Sequence, residues 1–155
     1  ATVLDRAWSD LDIHGTPLRL GGLYDYAFAL DDRNSCDPDR MDPEVCRFLT
    51  DFQDTERFTL MLSHRPDSFA LGEAARTWSI DLVLSGHAHG GQVVLPVLGG
   101  VFGGDLGLFS PYLHGMCRKD GLTMAVTSGL GSQRERLPRF HNPPEIMVID
   151  LTPES

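Results

Sequence analysis

Cysteine, basic clusters and long apolar runs are scarce in this chain. Its three cysteines cannot all pair and form no Cys-x-x-Cys, which disfavours a disulfide scaffold and a structural zinc site. Its 13 basic residues form no cluster and are outnumbered by 22 acidic ones, which argues against nucleic acid as a partner. No apolar run approaches the length of a membrane span, and residues 1–6 do not resemble a signal peptide. We therefore expect a globular protein that is cytoplasmic or peripheral to a membrane.

The remaining composition is that of one ordinary domain. The chain has 155 residues, of which 41% are hydrophobic and 23% charged, so we predict a single domain over 1–155. We expect reduced thiols, with a pair between Cys36 and Cys46 as the alternative. The net charge of -9 leaves a phosphate substrate open, because bound metal ions can reverse the local field.

Apolar periodicity predicts a mixed α/β or α+β domain. Two strands flank the tight turn at Gly15, and a long loop follows over 24–42. Helices are predicted over 43–53, where Asp42 is the cap, and over 66–76. The remaining strands are predicted at 58–63, 80–85, 93–95, 114–117, 122–127 and 145–151. We expect the second half of the chain to be mostly antiparallel.

Histidines end two of these strands. His64 follows the strand at 58–63, and Gly86-His87-Ala88-His89-Gly90-Gly91-Gln92 follows the strand at 80–85. These strands and the helix between them form a β-α-β unit, which delivers both strand ends to one edge of the sheet. Two histidines two residues apart point the same way on an extended backbone, and the flanking glycines allow close approach to a ligand. Imidazole is the commonest metal ligand, so we predict a metal site at His64, His87 and His89, with solvated loop histidines as the alternative.

These motifs resemble those of a known enzyme family. The segments Ser63-His64-Arg65-Pro66-Asp67 and Gly86 to Gln92 are similar to the last two metal-binding motifs of the calcineurin-like metallophosphoesterases. The resemblance is strongest to a branch of bacterial phosphodiesterases that act near membrane lipids, which shares the ending Asn142-Pro143-Pro144-Glu145. It covers about residues 11–151. Ala88 stands where that branch most often has threonine, which removes a hydroxyl but no metal ligand.

The resemblance implies a dinuclear phosphoesterase. In such sites two divalent ions, here Mn, Zn or Fe, clamp the attacking and leaving oxygens of a phosphodiester. The resemblance implies that His64 and His87 bind one ion and that His89 binds the other, with His87 as the catalytic residue. It also implies that the backbone beside His87, at Gly86 and Gly90, helps to orient the substrate.

The family's earlier motifs are absent from this chain. These are Asp-x-His, Gly-Asp and Gly-Asn-His-Asp/Glu, which supply the bridging carboxylate, an asparagine ligand and the leaving-group histidine. Asp12-Ile13-His14 matches the first only in its letters, because a hairpin turn follows it, and Gly104-Asp105 comes after the histidines. The chain therefore resembles the C-terminal half of a four-layer α/β/β/α sandwich, namely one mixed β-sheet with its helices. We expect its exposed apolar sheet face to dock the N-terminal half of the same enzyme or to self-associate.

Several other residues have both a functional and a structural interpretation. Arg65 could bind a phosphate oxygen of the substrate bidentately, and a surface salt bridge is the alternative. The glycine-containing loop at 127–132 could cradle a phosphate. The segment 98–109 could hold an acyl chain or touch a bilayer, with packing beneath the core as the alternative. We expect structural or solvated roles for the remaining histidines, His14, His114 and His141.

Three functions remain open at this stage. The first is a metal-dependent phosphodiesterase in which this chain supplies half of the site and the substrate is a phosphoester, lipid-derived as in the branch named above. The second is a non-catalytic binding or assembly module that keeps the fold with an incomplete metal site. The third is a mononuclear zinc hydrolase with three histidines, which needs a general base that the sequence does not place beside the motif.

Overall fold

The computed structural model describes residues 2–24, 42–71, 74–131 and 138–152. Most of the loop predicted over 24–42, including Cys36, lies outside these residues. Cys46 and Cys117 are free thiols. No helix in this part of the chain has the length and apolarity that a bilayer crossing requires.

Strands dominate the described residues. In chain order they are β1 (Ala7–Ile13), β2 (Thr16–Leu23), β3 (Phe58–Ser63), β4 (Leu82–Ser85), β5 (Val94–Leu95), β6 (Gly99–Gly100), β7 (Gly115–Lys119) and β8 (Leu122–Val126). Six of them form one mixed sheet in the order β1-β2-β3-β4-β8-β7, and β5 pairs with β6. The four central strands are parallel, and the edge strands β1 and β7 run antiparallel to their neighbours.

Three helices lie between the strands of the described residues. They are α1 (Pro43–Gln53), α2 (Asp67–Ala70) and α3 (Ala74–Thr77). The carboxylate of Asp42 accepts a bond from the N–H of Glu44 at 2.8 Å, which caps α1 as predicted. The helix predicted over 66–76 is not continuous, because Leu71 adopts an extended conformation that ends α2 after one turn.

The two faces of the sheet are covered differently. One face packs beneath the helices, and its cluster of buried side chains includes Met61, Phe69, Trp78, Val83 and Met124. The opposite face carries the buried residues Leu18, Leu60, Leu82 and Ala125, against which Met147 and Ile149 pack from the end of the chain. Leu62 continues this second face and is 42% exposed. The docking of a partner on this face stays a prediction.

The strand predicted over 145–151 is wrong. This segment lies over the second face of the sheet without joining its hydrogen-bonded ladder. Its alternation is real, because Met147 and Ile149 pack inward while Ile146 and Val148 are 75% and 82% exposed. The apolar alternation therefore reflects packing on a sheet face rather than pairing within the sheet.

The expectation of a mostly antiparallel second half is also wrong in part. The hairpin of β7 and β8 turns at Asp120 and Gly121, both with positive φ, as the sequence indicates. However, β8 lies between β7 and β4 and pairs in parallel with β4, where Met124 is opposite Val83. Burial explains the placement, since Met124 and Val83 are fully buried in the helix-covered core.

Candidate metal centre

The carboxyl ends of β3 and β4 lie side by side, and each is followed by a histidine. The N–H of His64 donates to the carbonyl of Leu23, and the N–H of Gly86 donates to the carbonyl of His64, both at 3.2 Å. The sheet bonding thus continues one residue beyond β3. His64 Nε2 lies 3.1 Å from His87 Nδ1, with the ring planes inclined by 71°. The structure therefore brings these two predicted ligands together.

The spacing of these two ring nitrogens suits a shared cation. Two nitrogens that are each about 2.1 Å from a tetrahedral zinc ion lie about 3.4 Å apart, close to the observed separation. Within the described residues, no group of three or more His, Cys, Asp or Glu side chains is placed to hold an ion. The pair therefore fits an ion as two of its ligands, and a complete site needs further ligands from elsewhere.

The loop that carries His87 has a strained backbone. Three of its non-glycine residues have left-handed φ angles, namely His87 at 56°, His89 at 47° and Gln92 at 58°. Such conformations cost of the order of 1–3 kcal/mol each and persist where the surroundings hold them. Three of the nine non-glycine residues with positive φ in the described part of the chain thus fall within the six residues after Gly86.

His89 contacts a different partner from the pair of His64 and His87. β4 ends at Ser85, and His89 begins a 3-10 turn, so the extended backbone expected for the His-x-His motif is not present. The Nδ1 atom of His89 lies 3.4 Å from the guanidinium Nη2 of Arg139. The extended backbone on which the shared direction of His87 and His89 was argued is therefore absent, and His89 as a metal ligand stays a prediction.

Electrostatics favour a neutral His87. Burial lowers the pKa of His87 below its ordinary value, and the nearby positive charges of Arg65 and His64 lower it further. A histidine must be neutral to bind a metal. The ring therefore offers its lone pair at neutral pH without first losing a proton.

Arg65 forms a buried ion pair rather than a surface one. Its Nη2 lies 2.8 Å from Oδ2 of Asp67 and its Nε lies 3.1 Å from the same oxygen. The side chains of Arg65 and Asp67 are 12% and 3% exposed. A partly shielded carboxylate therefore neutralises the cation beside His87, and contact of Arg65 with a substrate stays a prediction.

Close contacts between glycines hold the segment 86–92, here called the histidine loop, against the hairpin of β5 and β6. A Cβ on Gly91, whose φ is +80°, would lie 2.8 Å from Cα of Gly100. A Cβ on Gly100 would lie 2.5 Å from the carbonyl oxygen of Gly90. Backbones can approach this closely only where neither side carries a Cβ. The glycine-rich segment after the loop thus supports the loop directly.

Two buried polar groups border the same loop. Neither the hydroxyl of Ser85 nor the carboxamide of Gln92 has a hydrogen-bond partner within the described residues. These residues are 6% and 8% exposed. An unsatisfied buried polar group costs about 1–3 kcal/mol, so such groups are typical of sites that receive water, an ion or a ligand.

The three histidines outside the predicted metal site, His14, His114 and His141, lie apart from the pair of His64 and His87. His14 lies in the turn between β1 and β2, just before β2 begins, whereas His64 follows the end of β3. Because β2 and β3 are parallel, the two histidines lie at opposite ends of the strands. His114 bonds to Glu145 at 2.9 Å, and His141 stacks on Phe140. The structural or solvated roles expected of these three histidines stay a prediction.

The loop after β8 offers little to an anion. The N–H of Ser128 donates to the Glu145 carboxylate, and the N–H of Gly129 donates to the hydroxyl of Thr127. Two of the N–H groups proposed for a phosphate cradle are therefore already bonded. The Ser128 bond is the main cause of a lowered pKa for Glu145.

Sequence reasoning missed two residues of this region. Arg139 and Asn142 both contact the histidine loop, through His89 Nδ1 and the carbonyl of His89 respectively. Asn142 lies in the Asn-Pro-Pro-Glu string, which was noted only as part of a resemblance. A buried asparagine beside two prolines was the available signal, since such an amide is free to bond to a neighbouring loop.

Comparisons with known proteins bear on the same region. Over 144 residues, or 92% of this chain, it is 33% identical to an uncharacterized metallophosphoesterase of Helicobacter pylori strain J99. The protein of that name in a second Helicobacter pylori strain is 31% identical over the same length, and the uncharacterized metallophosphoesterase YkuE of Bacillus subtilis is 38% identical over 96 residues. These similarities support a relationship to the metallophosphoesterase superfamily.

The chain spans about a third of the length of the relatives it matches, since the aligned regions cover 34%, 31% and 34% of them. No family model matches the sequence. No solved structure matches it either.

Proposed function

We propose that this chain supplies the His64 and His87 part of a metal-dependent phosphodiesterase site. The 3.1 Å separation of their ring nitrogens is the observation that carries the proposal, because it is close to the separation of about 3.4 Å between two imidazole nitrogens on one tetrahedral ion. The names of the relatives add the reaction class, hydrolysis of a phosphoester. The neighbouring strands β3 and β4, which precede His64 and His87, provide the rigid elements that such a site requires.

Each residue of the proposed site has a distinct task. His64 and His87 hold one divalent ion, Mn, Zn or Fe, and the lowered pKa of His87 keeps its ring neutral. His89 is proposed for a second ion. Two bound ions supply electrostatic clamping of the attacking and leaving oxygens in sites of this kind. Gly86, where an added Cβ would meet nothing within 4 Å, leaves room for a phosphate beside His87, and Gly90 is proposed to contribute its backbone alone.

Arg65 is the proposed cationic contact for the phosphate. Its positive charge acts on His87, so it lies within electrostatic range of the proposed centre. Asp67 binds the same guanidinium and competes with a phosphate for it. The pair would therefore hold Arg65 in place and limit how strongly it binds an anion.

The remaining ligands of a dinuclear site would come from the part of a longer enzyme that this chain does not represent. We propose that the chain corresponds to the C-terminal half of a four-layer sandwich, calcineurin-like in its arrangement. The partly exposed second face of the sheet, with Leu62 at 42% exposure, supports docking of the N-terminal half or of a second copy. A lipid-derived phosphoester is the proposed substrate, since Val97, Leu98 and Leu108 expose large apolar side chains near the loop.

Metal binding by histidine variants tests the proposal. Titration with Mn²⁺ and Zn²⁺ by calorimetry should show that His64→Ala and His87→Ala each weaken binding by more than the roughly 10- to 100-fold typical of an outer-sphere partner. His14→Ala, at the opposite end of the strands, is the matched control and should bind as the wild type does. Equal binding by all three variants would overturn the proposal.

Turnover of a chromogenic phosphodiester then separates an enzyme from a non-catalytic module. The chain should hydrolyse it only when mixed with the portion of a relative that the chain does not match. A module that binds metal without turnover in either case is the second candidate, which the lack of a three-ligand group within the described residues favours.

A further inference from the structure

Asn142 is almost fully buried and bonds to two backbone carbonyls of the histidine loop, those of His89 and Gln92. It is 7% exposed, and its Nδ2 donates to the carbonyl of His89 at 2.6 Å and to the carbonyl of Gln92 at 3.2 Å. Two N–H groups of one amide thus span the turn from His89 to Gln92. Buried bonds of this kind specify a single backbone conformation, because breaking them leaves a desolvated carbonyl.

The backbone beside Asn142 is fixed to the same loop. The N–H of Phe140 donates to the carbonyl of Gln92 at 3.1 Å, and the N–H of Val94 donates to the carbonyl of Phe140 at 2.9 Å. These bonds form a short parallel bridge between Val93 and Phe140. Asn142 therefore reaches the loop from a segment that is itself anchored where the loop ends.

Gly90 is shaped to receive this asparagine. A Cβ at Gly90 would lie 2.8 Å from Oδ1 of Asn142 and 3.0 Å from Cβ of Ser128, and its φ is +62°. The carboxamide thus occupies the space that any other residue at position 90 would need. The sequence suggests that Gly90 allows close approach of a ligand, but on this side the space beside Gly90 is occupied by Asn142.

Arg139 sets the orientation of the Asn142 amide. Its Nη1 donates to Oδ1 of Asn142 at 3.3 Å, and its Nη2 donates to the carbonyls of Ser128, Gly129 and Gly131. A guanidinium can only donate, so the atom of Asn142 that faces it is oxygen and the atom that faces the loop is nitrogen. The amide orientation is therefore determined by its partners on both sides.

From these contacts we infer that Asn142 is a positioning residue for the metal centre, oriented by Arg139. It holds the left-handed turn that directs His87 toward His64 and places His89 against Arg139. The inference rests on the proposed function, in that the loop it holds is the proposed ligand loop. Glu145, in the same string, ties Ser128 and Thr127 to His114 and makes no bond to the histidine loop among the contacts described.

Asn142→Asp tests this role with almost no change in size. A carboxylate cannot donate, so both bonds to the loop carbonyls are lost while the contact with Arg139 is kept. Glu145→Gln is the matched control from the same string. With Co²⁺ as the probe, Asn142→Asp should weaken binding by about 10- to 100-fold and alter the visible absorption spectrum of the bound ion. Glu145→Gln should bind Co²⁺ with unchanged affinity and spectrum.

A metal-free measurement keeps this inference distinct from the proposed function. Amide hydrogen exchange of Gly91 and Gln92, followed by NMR in the absence of metal, should accelerate by about tenfold in Asn142→Asp and remain unchanged in Glu145→Gln. His87→Ala that still binds Co²⁺ like the wild type would overturn the proposed function alone. Unchanged exchange and unchanged Co²⁺ affinity in Asn142→Asp would overturn the positioning role.

A second variant covers the case in which Asn142→Asp does not fold. Arg139→Lys keeps the positive charge but loses the planar fork that reaches the amide and three carbonyls. It should accelerate exchange at Gly91 and Gln92 and weaken Co²⁺ binding in the same direction. Wild-type exchange and affinity in Arg139→Lys would then overturn the inference.

Discussion

The chain leaves the carboxyl ends of the neighbouring strands β3 and β4 through two segments, here called the β3 exit and the β4 exit, which are stabilised in opposite ways. After β3 the chain bonds once more with the sheet at His64 and begins α2 within three residues, held by the local ion pair of Arg65 and Asp67. After β4 it enters a loop with three left-handed non-glycine residues, held by Asn142 from 53 residues further along the chain. One exit is stabilised by its own sequence, and the other depends on tertiary contacts.

The difference shows how a residue with ordinary backbone geometry and a residue with strained backbone geometry can be brought together. At the end of β3, the backbone of His64 is held in ordinary geometry by a hydrogen bond to Leu23. The β4 exit places His87 against the ring of His64 at a cost that distant contacts offset. A site assembled this way is only as well ordered as its supporting shell.

Breaking the ion pair at the β3 exit should have the largest effect on stability. Asp67→Asn removes the charge that neutralises Arg65, and breaking a pair this buried costs about 3 kcal/mol. Urea denaturation should show the loss as a lowered midpoint at constant slope. Asp10→Asn, which removes an exposed partner of Arg19, is the control and should cost less. Equal losses would show that burial of the Arg65 pair adds nothing.

Crowding at the β4 exit should have an intermediate effect. Gly91→Ala places a Cβ 2.8 Å from Cα of Gly100 and also strains a φ of +80°, so we expect a loss of about 2 kcal/mol. Gly99→Ala has the same φ of +80° with nothing within 4 Å of its Cβ. The difference between the two variants in thermal unfolding measures the contact between the loop and the hairpin. If they are equally stable, the close approach of Gly91 to Gly100 does not support the loop.

The smallest effect should come from Glu145, and it should depend on pH. Hydrogen bonding, chiefly from the N–H of Ser128, lowers the pKa of Glu145 in the folded protein. The resulting stability is present above the unfolded pKa of about 4.3 and is lost as the pH falls through the lower folded pKa. Glu145→Gln should therefore cost about 1 kcal/mol at pH 7 and less at pH 3.

The control for this prediction is Glu56→Gln, a change at an exposed position just before β3. Chemical denaturation at several pH values measures both variants. A Glu145→Gln deficit that does not shrink in acid would contradict the assignment of the stabilisation to the ionised carboxylate.

The elements that were predictable from sequence are those whose signals are local. Helix α1 follows from its cap at Asp42 and its apolar stripe, and the β7–β8 hairpin follows from its turn at Gly121. The position of β8 between β4 and β7 was not predictable from nearby sequence. It depends on the long-range packing of Met124 beside Val83 in the core. The segment after Pro144 shows the same limit, since packing on a sheet and pairing within one produce the same alternation.

In the candidate site, too, local sequence signals were predictive and tertiary contacts were not. The β-α-β pattern was enough to place His64 next to His87. It could not give the direction of His89, because the backbone there is left-handed and no strand periodicity applies. Nor could it reveal Asn142, whose role depends on a contact across 53 residues.

The separation of 53 residues between His89 and Asn142 also determines when the histidine loop can be completed during synthesis. On a ribosome adding about 5–20 residues per second, Asn142 follows His89 by roughly 3 to 10 seconds. During that interval β3, β4 and both histidines of the pair are already made, while the amide that spans the turn does not yet exist. The turn from His89 to Gln92 therefore gains these bonds only after β3 and β4 have been made, so the loop that carries His87 is completed late in synthesis.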